Sequence, residues 1–470
     1  METMADLRII TTRGTDIVLD EATVQEFKTS LRGPLLCSGD AGYEEARKVW
    51  NANVDKRPAL IAGCAGVSDV INVVNFARTN HLLVSVRGGG HNFPGICVCN
   101  GGLVIDLSRM KGIRVDPTRR TVQAEGGVKW GELDHETQAF GLATPGGTDA
   151  DTGIAGLTLG GGIGWLSGQY GLACDNLIAA DIVTADGQFR HVNASEHPDL
   201  LWGLRGGGGN FGVVTSFEYQ LHPVGPMVLA GIVFYPFAKA REFLRFYYDF
   251  SRQSPDALNT IGGLGTSHDG AKVGVMAVCY SGPLDAGERV LRPAREFGPP
   301  VADHIQPMPY TAAQKILAPL APAGRHYYIK SHFIQDISAG AIDTMITHFE
   351  RVTSPLSAMI FQQLGNAVSR VPSGDTAFGH RDTGYEWATI SGWLDPGESE
   401  GHIQWTRAFS QAMLPFTKGF YINQVGTEDE EGADVIREAF GANYQRLADL
   451  KRQYDPTNLF RHNQNITPTI

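Results

Sequence analysis

Three glycine-rich blocks constrain the fold of this chain more than any other feature of its sequence. They span residues 87–95, 146–164 and 205–212. The 470 residues include 57 glycines, whereas the usual share of roughly 7% would give about 33. Because the glycines are concentrated in a few blocks, they indicate places where the backbone must turn sharply or approach another group closely.

A phosphate-bearing ligand explains three such blocks better than three unrelated turns do. A single block is equally well explained as a turn that needs a positive φ. Three blocks, each after a predicted strand or helix, can together present backbone N–H groups to phosphates, because no side chain keeps the ligand away. The sequence therefore predicts the binding of a dinucleotide with a pyrophosphate.

The Rossmann dinucleotide fold is excluded by the surroundings of its own motif. The pattern GxGxxG occurs once, at Gly207, Gly209 and Gly212. Residues 199–204 before it are predicted to be helical and a strand follows at 213–219, which reverses the strand-then-helix order of that fold. An acidic residue about 20 positions further on is also missing.

Hydrophobic periodicity predicts a β-α-β unit that leads into the first glycine block. Strands at 59–62 and 82–86 flank a helix that starts near Ser68, with Ser68 or Asp69 as its cap, and ends near Asn80. Further predicted elements are strands at 103–107, 112–115 and 121–124, a helix at 129–140, and a hairpin of 182–184 with 188–192 around Ala185-Asp186-Gly187.

The character of the sequence changes near Pro223, where the glycine blocks end. From there to about Tyr421, strand-like runs alternate with helical ones, which predicts a second domain of the α+β class. The strands are predicted at 229–234, 273–280, 358–364 and 386–390, and an amphipathic helix at 435–450 precedes the C-terminal tail.

Composition excludes several classes of partner. The formal net charge of −11 does not provide the concentrated basic surface that nucleic acid requires. No stretch reaches the ~20 apolar residues of a membrane span, and the first residues lack the basic start and apolar run of a signal peptide. We therefore expect no nucleic-acid or membrane partner and a cytoplasmic location. The six cysteines form no metal-ligand spacing, so no metal is expected.

Six motifs occur in order along nearly the whole chain: residues 86–92 (VRGGGHN), 141–147 (GLATPGG), 160–165 (GGGIGW), 171–176 (GLACDN), 205–214 (RGGGGNFGVV) and 455–466 (DPTNLFRHNQNI). Together they resemble the berberine-bridge-enzyme-like branch of the vanillyl-alcohol-oxidase flavoprotein superfamily. The resemblance implies an α+β fold with three parts. A two-subdomain FAD-binding domain of the PCMH type would occupy 1–224, with its core at about 55–224. An α+β substrate domain with an antiparallel sheet would be inserted at 225–424, and residues 425–470 would return to the FAD domain.

The resemblance also implies that the cofactor is FAD and that His91 bonds covalently to its 8-methyl group. Taken alone, a histidine after a glycine turn is more simply a surface-loop residue. A tether would anchor the flavin ring and increase its readiness to accept a hydride. The residues expected to bind FAD are Arg87, Gly88, Gly89, Gly90, His91, Asn92, Pro145, Gly146, Gly147, Thr148, Thr152, Gly153, Gly156, Gly161, Gly162, Gly164, Asp175, Asn176, Gly209, Asn210, Gly212, Val213, Val214, Asn463 and Asn465.

Two positions depart from the family pattern. Many relatives carry a second tether, a cysteine four residues before the glycine that matches Gly153. Here that position is Asp149, so a second bond cannot form, and the chain is in this respect similar to the single-tether bacterial hydroxynicotine-oxidase type. Gln424 stands where many members place a catalytic tyrosine base.

The implied chemistry is the oxidation of a small organic substrate. A hydride would pass from a C–H next to N or O to flavin N5, and O2 is the expected acceptor, giving H2O2. The alternatives are a dehydrogenase that uses another acceptor, a sugar or alcohol oxidase, and a flavin-binding protein without turnover. The candidate catalytic residues are His380, Tyr421 and Gln424, and the candidate substrate residues are Gln362 and Tyr385.

Ordinary core packing is the alternative explanation for each of these substrate-side candidates. His380 is the first candidate for a base, because the segment FGHR at 378–381 resembles a family segment that faces the flavin.

Overall fold

The N-terminal part of the chain forms a hairpin followed by a mostly parallel sheet. The computed structural model describes residues 6–427 and 431–469. Its first elements are β1 (Leu7–Ile10), β2 (Asp16–Leu19), α1 (Glu21–Thr29), β3 (Leu35–Cys37), α2 (Tyr43–Ala46), β4 (Leu60–Gly63), α3 (Val67–Thr79), β5 (Val84–Arg87) and β6 (Leu103–Asp106). The sheet order is β3-β4-β6-β5, in which β6 pairs parallel with β4 and with β5. The predicted β-α-β unit is therefore confirmed, and β4 and β6 are buried along their whole length, as parallel strands usually are.

The start of α3 differs from the prediction. The helix begins at Val67, and the structure gives it no side-chain cap, so neither Ser68 nor Asp69 caps it. The carboxylate of Asp69 instead accepts 2.8–3.1 Å hydrogen bonds from the backbone N–H groups of Arg32, Gly33 and Ala65. A capping motif is local in sequence, whereas two of these three donors, Arg32 and Gly33, reach Asp69 only through the tertiary fold.

A second sheet is antiparallel and carries the second and third glycine blocks on its connections. Its region contains β7 (Ile113–Asp116), β8 (Thr121–Glu125), α4 (Trp130–Gln138), β9 (Leu142–Ala143), α5 (Ile154–Leu159), α6 (Ser167–Tyr170), β10 (Leu177–Thr184), β11 (Phe189–Asn193), α7 (Pro198–Leu204), β12 (Gly212–Gln220) and β13 (His222–Pro223). The sheet order is β11-β10-β12-β8-β7, and β9 pairs with β13. The predicted hairpin is β10–β11. The order α7 then β12 around the GxGxxG pattern confirms that it is not a Rossmann site.

A third, eight-stranded sheet dominates the second half of the chain. Its region contains β14 (Met227–Pro236), α8 (Ala240–Arg252), β15 (Leu258–Thr266), β16 (Lys272–Tyr280), α9 (Leu284–Glu296), β17 (Ala302–Asp303), β18 (Gln306–Pro309), α10 (Tyr310–Ala313), β19 (His326–Ile334), α11 (Ala339–Phe349), β20 (Ala358–Gln363), α12 (Ala367–Arg370), β21 (Tyr385–Trp393) and α13 (Ser399–Met413). The order is β17-β14-β16-β15-β20-β21-β19, and β18 also pairs with β14.

All pairings in this sheet are antiparallel. Aromatic and aliphatic side chains of α8, α11 and α13 form one buried core with the sheet, so one of its faces is covered by helices. The mixture of helices with antiparallel sheets confirms the α+β fold class. None of the helices within residues 6–427 and 431–469 combines the length and apolar character needed to cross a membrane.

The C-terminal segment contains two helices where the sequence predicted one. They are α14 (Ala433–Phe440) and α15 (Tyr444–Tyr454). Gly441 has a φ of +56°, and a residue in this left-handed region ends an α-helix. The amphipathic period continues across the break because both helices bury one face, so the break left no sign in the hydrophobic pattern.

A buried ion pair fastens the tail to the third glycine block. Lys451 Nζ lies 2.7 Å from Asp455 Oδ2 and donates to the carbonyl oxygens of Asn210 and Phe460 at 2.8 and 2.9 Å. Asp455 in turn accepts the backbone N–H groups of Leu459 and Phe460. Both charged side chains are fully buried; burial lowers the pKa of Lys451 to about 8, although Asp455 opposes the shift.

Lys451→Met should lower the free energy of unfolding by about 3–5 kcal/mol, because it leaves the Asp455 carboxylate buried without a counter-charge. Urea unfolding followed by circular dichroism measures the loss. The matched control is Arg452→Met, whose side chain is about half exposed and whose removal should change the stability by no more than about 0.5 kcal/mol. Equal losses in the two variants would contradict this assignment.

Candidate active site

A cavity of about 380 Å³ lies between the glycine blocks and the eight-stranded sheet. Its size falls in the range of roughly 300–1,000 Å³ that is usual for small-molecule and cofactor sites. Most of the lining comes from three parts of the chain: the glycine blocks, the sheet, and the C-terminal tail. The tail contributes Phe460, His462, Asn463 and Gln464.

Two glycines explain how the blocks meet. A Cβ atom added to Gly89 would lie 2.5 Å from the backbone of Gly153, and one added to Gly153 would lie 2.5 Å from the backbone of Gly89. Real Cβ atoms do not approach so closely, so the two loops contact each other backbone to backbone. This contact brings together His91, which is two residues after Gly89, and Asp149, which is four residues before Gly153.

Two other glycines have no packing reason to be glycine. Gly156 and Gly209 both line the cavity, and a Cβ atom at either would meet no atom within 4 Å. A side chain there would project into the cavity. Backbone left bare toward an open space is the arrangement that lets a phosphate or a ring approach closely, so these positions fit a bound dinucleotide.

Unpaired buried polar atoms also indicate a polar ligand. Among the described residues, His91 Nε2, Gln424 Oε1, Asn463 Oδ1 and Asn465 Oδ1 are buried and have no hydrogen-bond partner in the protein. Buried polar groups are seldom left unpaired. The first three belong to residues that line the cavity, where polar atoms of FAD or of a substrate would pair with Asn463 and Gln424. The site therefore fits FAD.

His91 is held between an aromatic ring and a carboxylate. Its ring stacks on Trp50, with centroids 4.4 Å apart, and Trp50 stacks on Tyr327 at 4.2 Å. His91 Nε2 lies 3.7 Å from Asp149 Oδ2. Burial acts to raise the pKa of the Asp149 carboxyl, but His91, the backbone N–H of Asp151 and the charge of Lys129 hold that pKa below its usual value.

The residues predicted to bind FAD divide into two groups. Those that line the cavity are Gly88, Gly89, Gly90, His91, Asn92, Gly147, Thr148, Thr152, Gly153, Gly156, Gly209, Gly212, Val214 and Asn463. Those that do not line it are Arg87, Pro145, Gly146, Gly161, Gly162, Gly164, Asp175, Asn176, Asn210, Val213 and Asn465.

Charged and amide side chains of the second group support the loops from behind. Arg87 forms a buried ion pair with Asp106 at 2.6 Å. Asp175 pairs at 2.6 Å with Arg381, which is also buried. The Asn210 amide donates to backbone carbonyls in its own loop and in the tail. We therefore assign these side chains to loop support rather than to contact with the cofactor.

The eight-stranded sheet forms the other wall of the cavity and is mainly apolar. Its lining residues are Ile261, Ile329, Ile360, Gln362, Glu386, Ala388 and Ile390. Gln362, which the sequence analysis named as a candidate substrate residue, is among the lining residues. Glu386 is the one charged side chain that the described part of this sheet contributes to the lining.

Sequence reasoning missed Glu386. The residue is only 2% exposed, and its Oε1 accepts a short hydrogen bond from the Ser331 hydroxyl. Burial raises the pKa of Glu386 to about 7, although the Ser331 hydrogen bond opposes the shift. The available signal was a single acidic residue in an otherwise uncharged strand, since a buried charge in a strand usually has a function or a partner.

Tyr385 faces away from the cavity. Side chains alternate between the two faces of a strand, so the neighbour of a cavity residue points toward the helices. The Tyr385 hydroxyl pairs with Ser251 at 2.6 Å, and its ring packs beside Tyr247 and Phe361. Contrary to our expectation, Tyr385 is therefore not among the cavity residues.

His380 also lies outside the cavity. Its Nε2 donates to the carbonyl oxygens of Ala439 and Glu438 at 2.9 and 3.1 Å, and its ring packs against Phe333. Burial lowers the pKa of His380. The side chain thus joins the end of α14 to β19, and the structure removes it from the candidates for a base.

Tyr421 and Gln424 do line the cavity, together with Asn423. The Tyr421 hydroxyl accepts hydrogen bonds from the Gly162 backbone N–H at 3.2 Å and from the Asn423 amide at 2.9 Å. Burial raises the pKa of Tyr421 well above its usual value. Tyr421 therefore stays protonated at neutral pH and braces the second glycine block.

Comparisons with known proteins agree with this site. A family model described as "FAD binding domain" matches residues 58–193, and one described as "Berberine and berberine like" matches residues 421–467. A FAD-linked oxidoreductase of Dictyostelium discoideum is 34% identical over 450 residues, covering 95% of this chain and 97% of the relative. The (R)-6-hydroxynicotine oxidase of Paenarthrobacter nicotinovorans is 32% identical over 462 residues, covering 93% and 97%.

Solved structures extend the similarity to the whole fold. The crystal structure of 6-hydroxy-D-nicotine oxidase from Arthrobacter nicotinovorans has a TM-score of 0.85 and 31% sequence identity, covering 94% of this chain and 99% of that one. A chitooligosaccharide oxidase has a TM-score of 0.82 at 23% identity, which shows the fold alone. The predicted PCMH-type architecture is thereby confirmed. Taken together with the glycine cradle and its unpaired polar atoms, these similarities show that the chain is an FAD-linked oxidoreductase of the berberine-bridge-enzyme-like family.

Proposed function

We propose that this chain is an FAD-dependent oxidase that holds its cofactor through a covalent bond to His91. It removes a hydride from a C–H bond next to N or O of a small organic substrate, with O2 as the acceptor and H2O2 as the product. One observation carries the proposal: His91 and the buried Glu386 carboxyl line opposite walls of the same cavity, His91 on the glycine side and Glu386 on the sheet side. Bound FAD supplies the hydride acceptor, N5 of its ring.

The same proposal divides the work between parts of the chain. Residues 1–224 and 425–470 bind the cofactor, and residues 225–424 bind the substrate. The glycine blocks and the tail residue Asn463 line one side of the cavity, and strands of the inserted region line the other, which supports this division.

The sheet wall supports a substrate with an apolar body and one basic or hydroxyl group. Isoleucines make up most of the wall, and Gln362 and Glu386 supply its polar atoms. A carboxyl with a pKa near neutral is suited to take a proton from the substrate nitrogen or oxygen while the hydride leaves. Glu386 therefore replaces His380 as our candidate for the base. Similarity to the hydroxynicotine oxidases favours an amine substrate; an alcohol or a sugar is the alternative.

Gln424 orients the substrate without taking its proton. A carboxamide has no titratable proton in the working range of pH but offers both donors and an acceptor. Its Oε1 is buried and unpaired among protein atoms, so it is available to accept a hydrogen bond from the substrate. Tyr421, whose hydroxyl already accepts two hydrogen bonds, keeps the adjoining loop in place.

Thr152 controls the approach of O2 in this proposal. It directly precedes Gly153 and lines the cavity. In related proteins the equivalent residue sits near the ring carbon that O2 attacks, where a small side chain leaves access and a large branched one blocks it. Threonine is branched and close to valine in volume, so it could also block O2. A dehydrogenase with another acceptor is therefore the alternative.

The covalent bond is tested by denaturation. Protein precipitated with acid should keep its yellow colour, and proteolysis should yield a single flavin-bearing peptide that contains His91. His91→Ala should bind FAD only reversibly. Release of all FAD from the wild-type protein on precipitation would contradict the tether.

The identity of the electron acceptor is tested by reducing the flavin without oxygen and then admitting air. Candidate amines and alcohols are mixed with the protein without oxygen until one bleaches the flavin, and air is then admitted. We expect fast reoxidation with one H2O2 formed for each flavin, and Thr152→Leu should slow reoxidation without slowing reduction by substrate. Slow reoxidation in air alongside fast reaction with an artificial acceptor would favour the dehydrogenase.

The base is tested by comparing two cavity variants in stopped-flow reduction. In the wild-type protein the rate of flavin reduction should rise with pH through about 7, because only the ionised Glu386 accepts a proton. Glu386→Gln should abolish this dependence and slow reduction by about a hundredfold or more. Gln424→Ala should instead raise KM and keep kcat within about tenfold, the effect of one lost hydrogen bond of roughly 1.4 kcal/mol. A hundredfold loss in Gln424→Ala with little loss in Glu386→Gln would reverse the two assignments.

A further inference from the structure

Asp149 is a carboxylate placed beside the histidine that we propose as the tether. Its Oδ2 lies 3.7 Å from His91 Nε2, and the two side chains are only 19% and 14% exposed. Its other oxygen, Oδ1, accepts the backbone N–H of Asp151 at 2.8 Å. One carboxylate oxygen thus fixes the turn, and the other remains directed at the imidazole.

The surroundings keep this carboxylate ionised and the ring in one orientation. Trp50 covers one face of the His91 ring, so rotation about the side chain is restricted. Lys129, whose charge also lowers the pKa of Asp149, pairs directly with Asp151 at 2.7 Å. A buried imidazole nitrogen that faces a carboxylate and has no other partner in the protein is expected to carry a proton toward that carboxylate.

We propose that Asp149 prepares His91 for its covalent bond to FAD: it orients the imidazole ring through the N–H and receives the proton that the ring loses as the bond forms. Asp149 is a positioning residue, since it acts through His91. The inference rests on the proposed function, because it presupposes the His91 tether.

The atoms and electrons of this step balance. One C–H bond of the 8-methyl group and the Nε2–H bond of the imidazole break, and one C–N bond forms at the other ring nitrogen, Nδ1. The imidazole proton goes to Asp149, and the methyl proton goes to solvent. The electron pair of the broken C–H bond remains on the flavin ring until O2 removes it, with two protons, as H2O2.

Two neighbouring substitutions separate this role from support of the turn. Asp149→Asn keeps an oxygen for the Asp151 N–H but loses the negative charge and the ability to accept the proton. Asp151→Asn removes the same charge two residues away, at a side chain that is 57% exposed and pairs with Lys129. Asp149→Glu keeps a carboxylate at this position, on a side chain that is longer by one methylene group.

The experiment measures attachment and not turnover. Each protein is sampled at intervals after induction, and again after incubation of the purified protein with FAD. Total bound flavin is read from absorbance after gel filtration, and covalent flavin from what remains after acid precipitation. All variants should bind FAD. Wild type and Asp151→Asn should be covalently loaded from the first sample, Asp149→Asn should attach about a hundredfold more slowly, and Asp149→Glu should recover part of the rate.

Three results would go against the proposal, in distinguishable ways. Attachment in Asp149→Asn at the wild-type rate would overturn the role of Asp149 and leave the His91 tether intact. Loss of all FAD binding in Asp149→Asn would assign Asp149 to cofactor binding instead of proton transfer. Acid-extractable flavin in the wild-type protein would refute the tether itself, and the proposed function with it.

Discussion

The contact between the backbones of Gly89 and Gly153 is the constraint on which the rest of the site depends. Neither position has room for a Cβ atom, so the two loops pack backbone against backbone. Backbone atoms cannot change rotamer, and the loops are therefore held in register more rigidly than side chains would hold them. His91 follows one of these glycines and Thr152 precedes the other, so both inherit this fixed geometry.

The two walls of the cavity are built on different principles. The glycine wall depends on backbone conformation, and it is supported from behind by buried ion pairs such as those of Arg87 and Asp175. The sheet wall depends on which side chains one face of the strands presents. A substitution at Ile360 or Ala388 would change the shape of the cavity without disturbing the glycine loops on its opposite side. This separation of scaffold and specificity is typical of folds that serve many substrates.

The sequence was informative where function depends on local backbone patterns. The glycine blocks, the β-α-β unit, the β10–β11 hairpin and the absence of a Rossmann site were all predicted, because each is encoded within a short stretch of chain. More than half of the residues that the family resemblance implied for FAD binding line the cavity. The family resemblance supplied the order of the motifs and the fold that they share.

The sequence was uninformative where placement depends on tertiary register. Tyr385 and Glu386 are adjacent, and only the face that β21 turns to the cavity decides that Glu386 lines it and Tyr385 does not. His380 lies in a motif-like segment, yet its ring is committed to carbonyl groups at the end of a helix. Trp50 reaches His91 from about forty positions earlier in the chain, with no local pattern that links the two.

The return of the tail has a consequence for the order in which the protein is made. Phe460, Asn463 and Gln464 line the cavity and are held there by the clasp between Lys451 and Asp455. A chain emerging from the ribosome folds from its N-terminus onward, so both glycine loops and sheet are formed while the last side of the cavity is still being synthesised. The tail side of the cavity is complete only once residue 464 has been made, so a cofactor bound there would be enclosed after the glycine loops and the sheet have been synthesised.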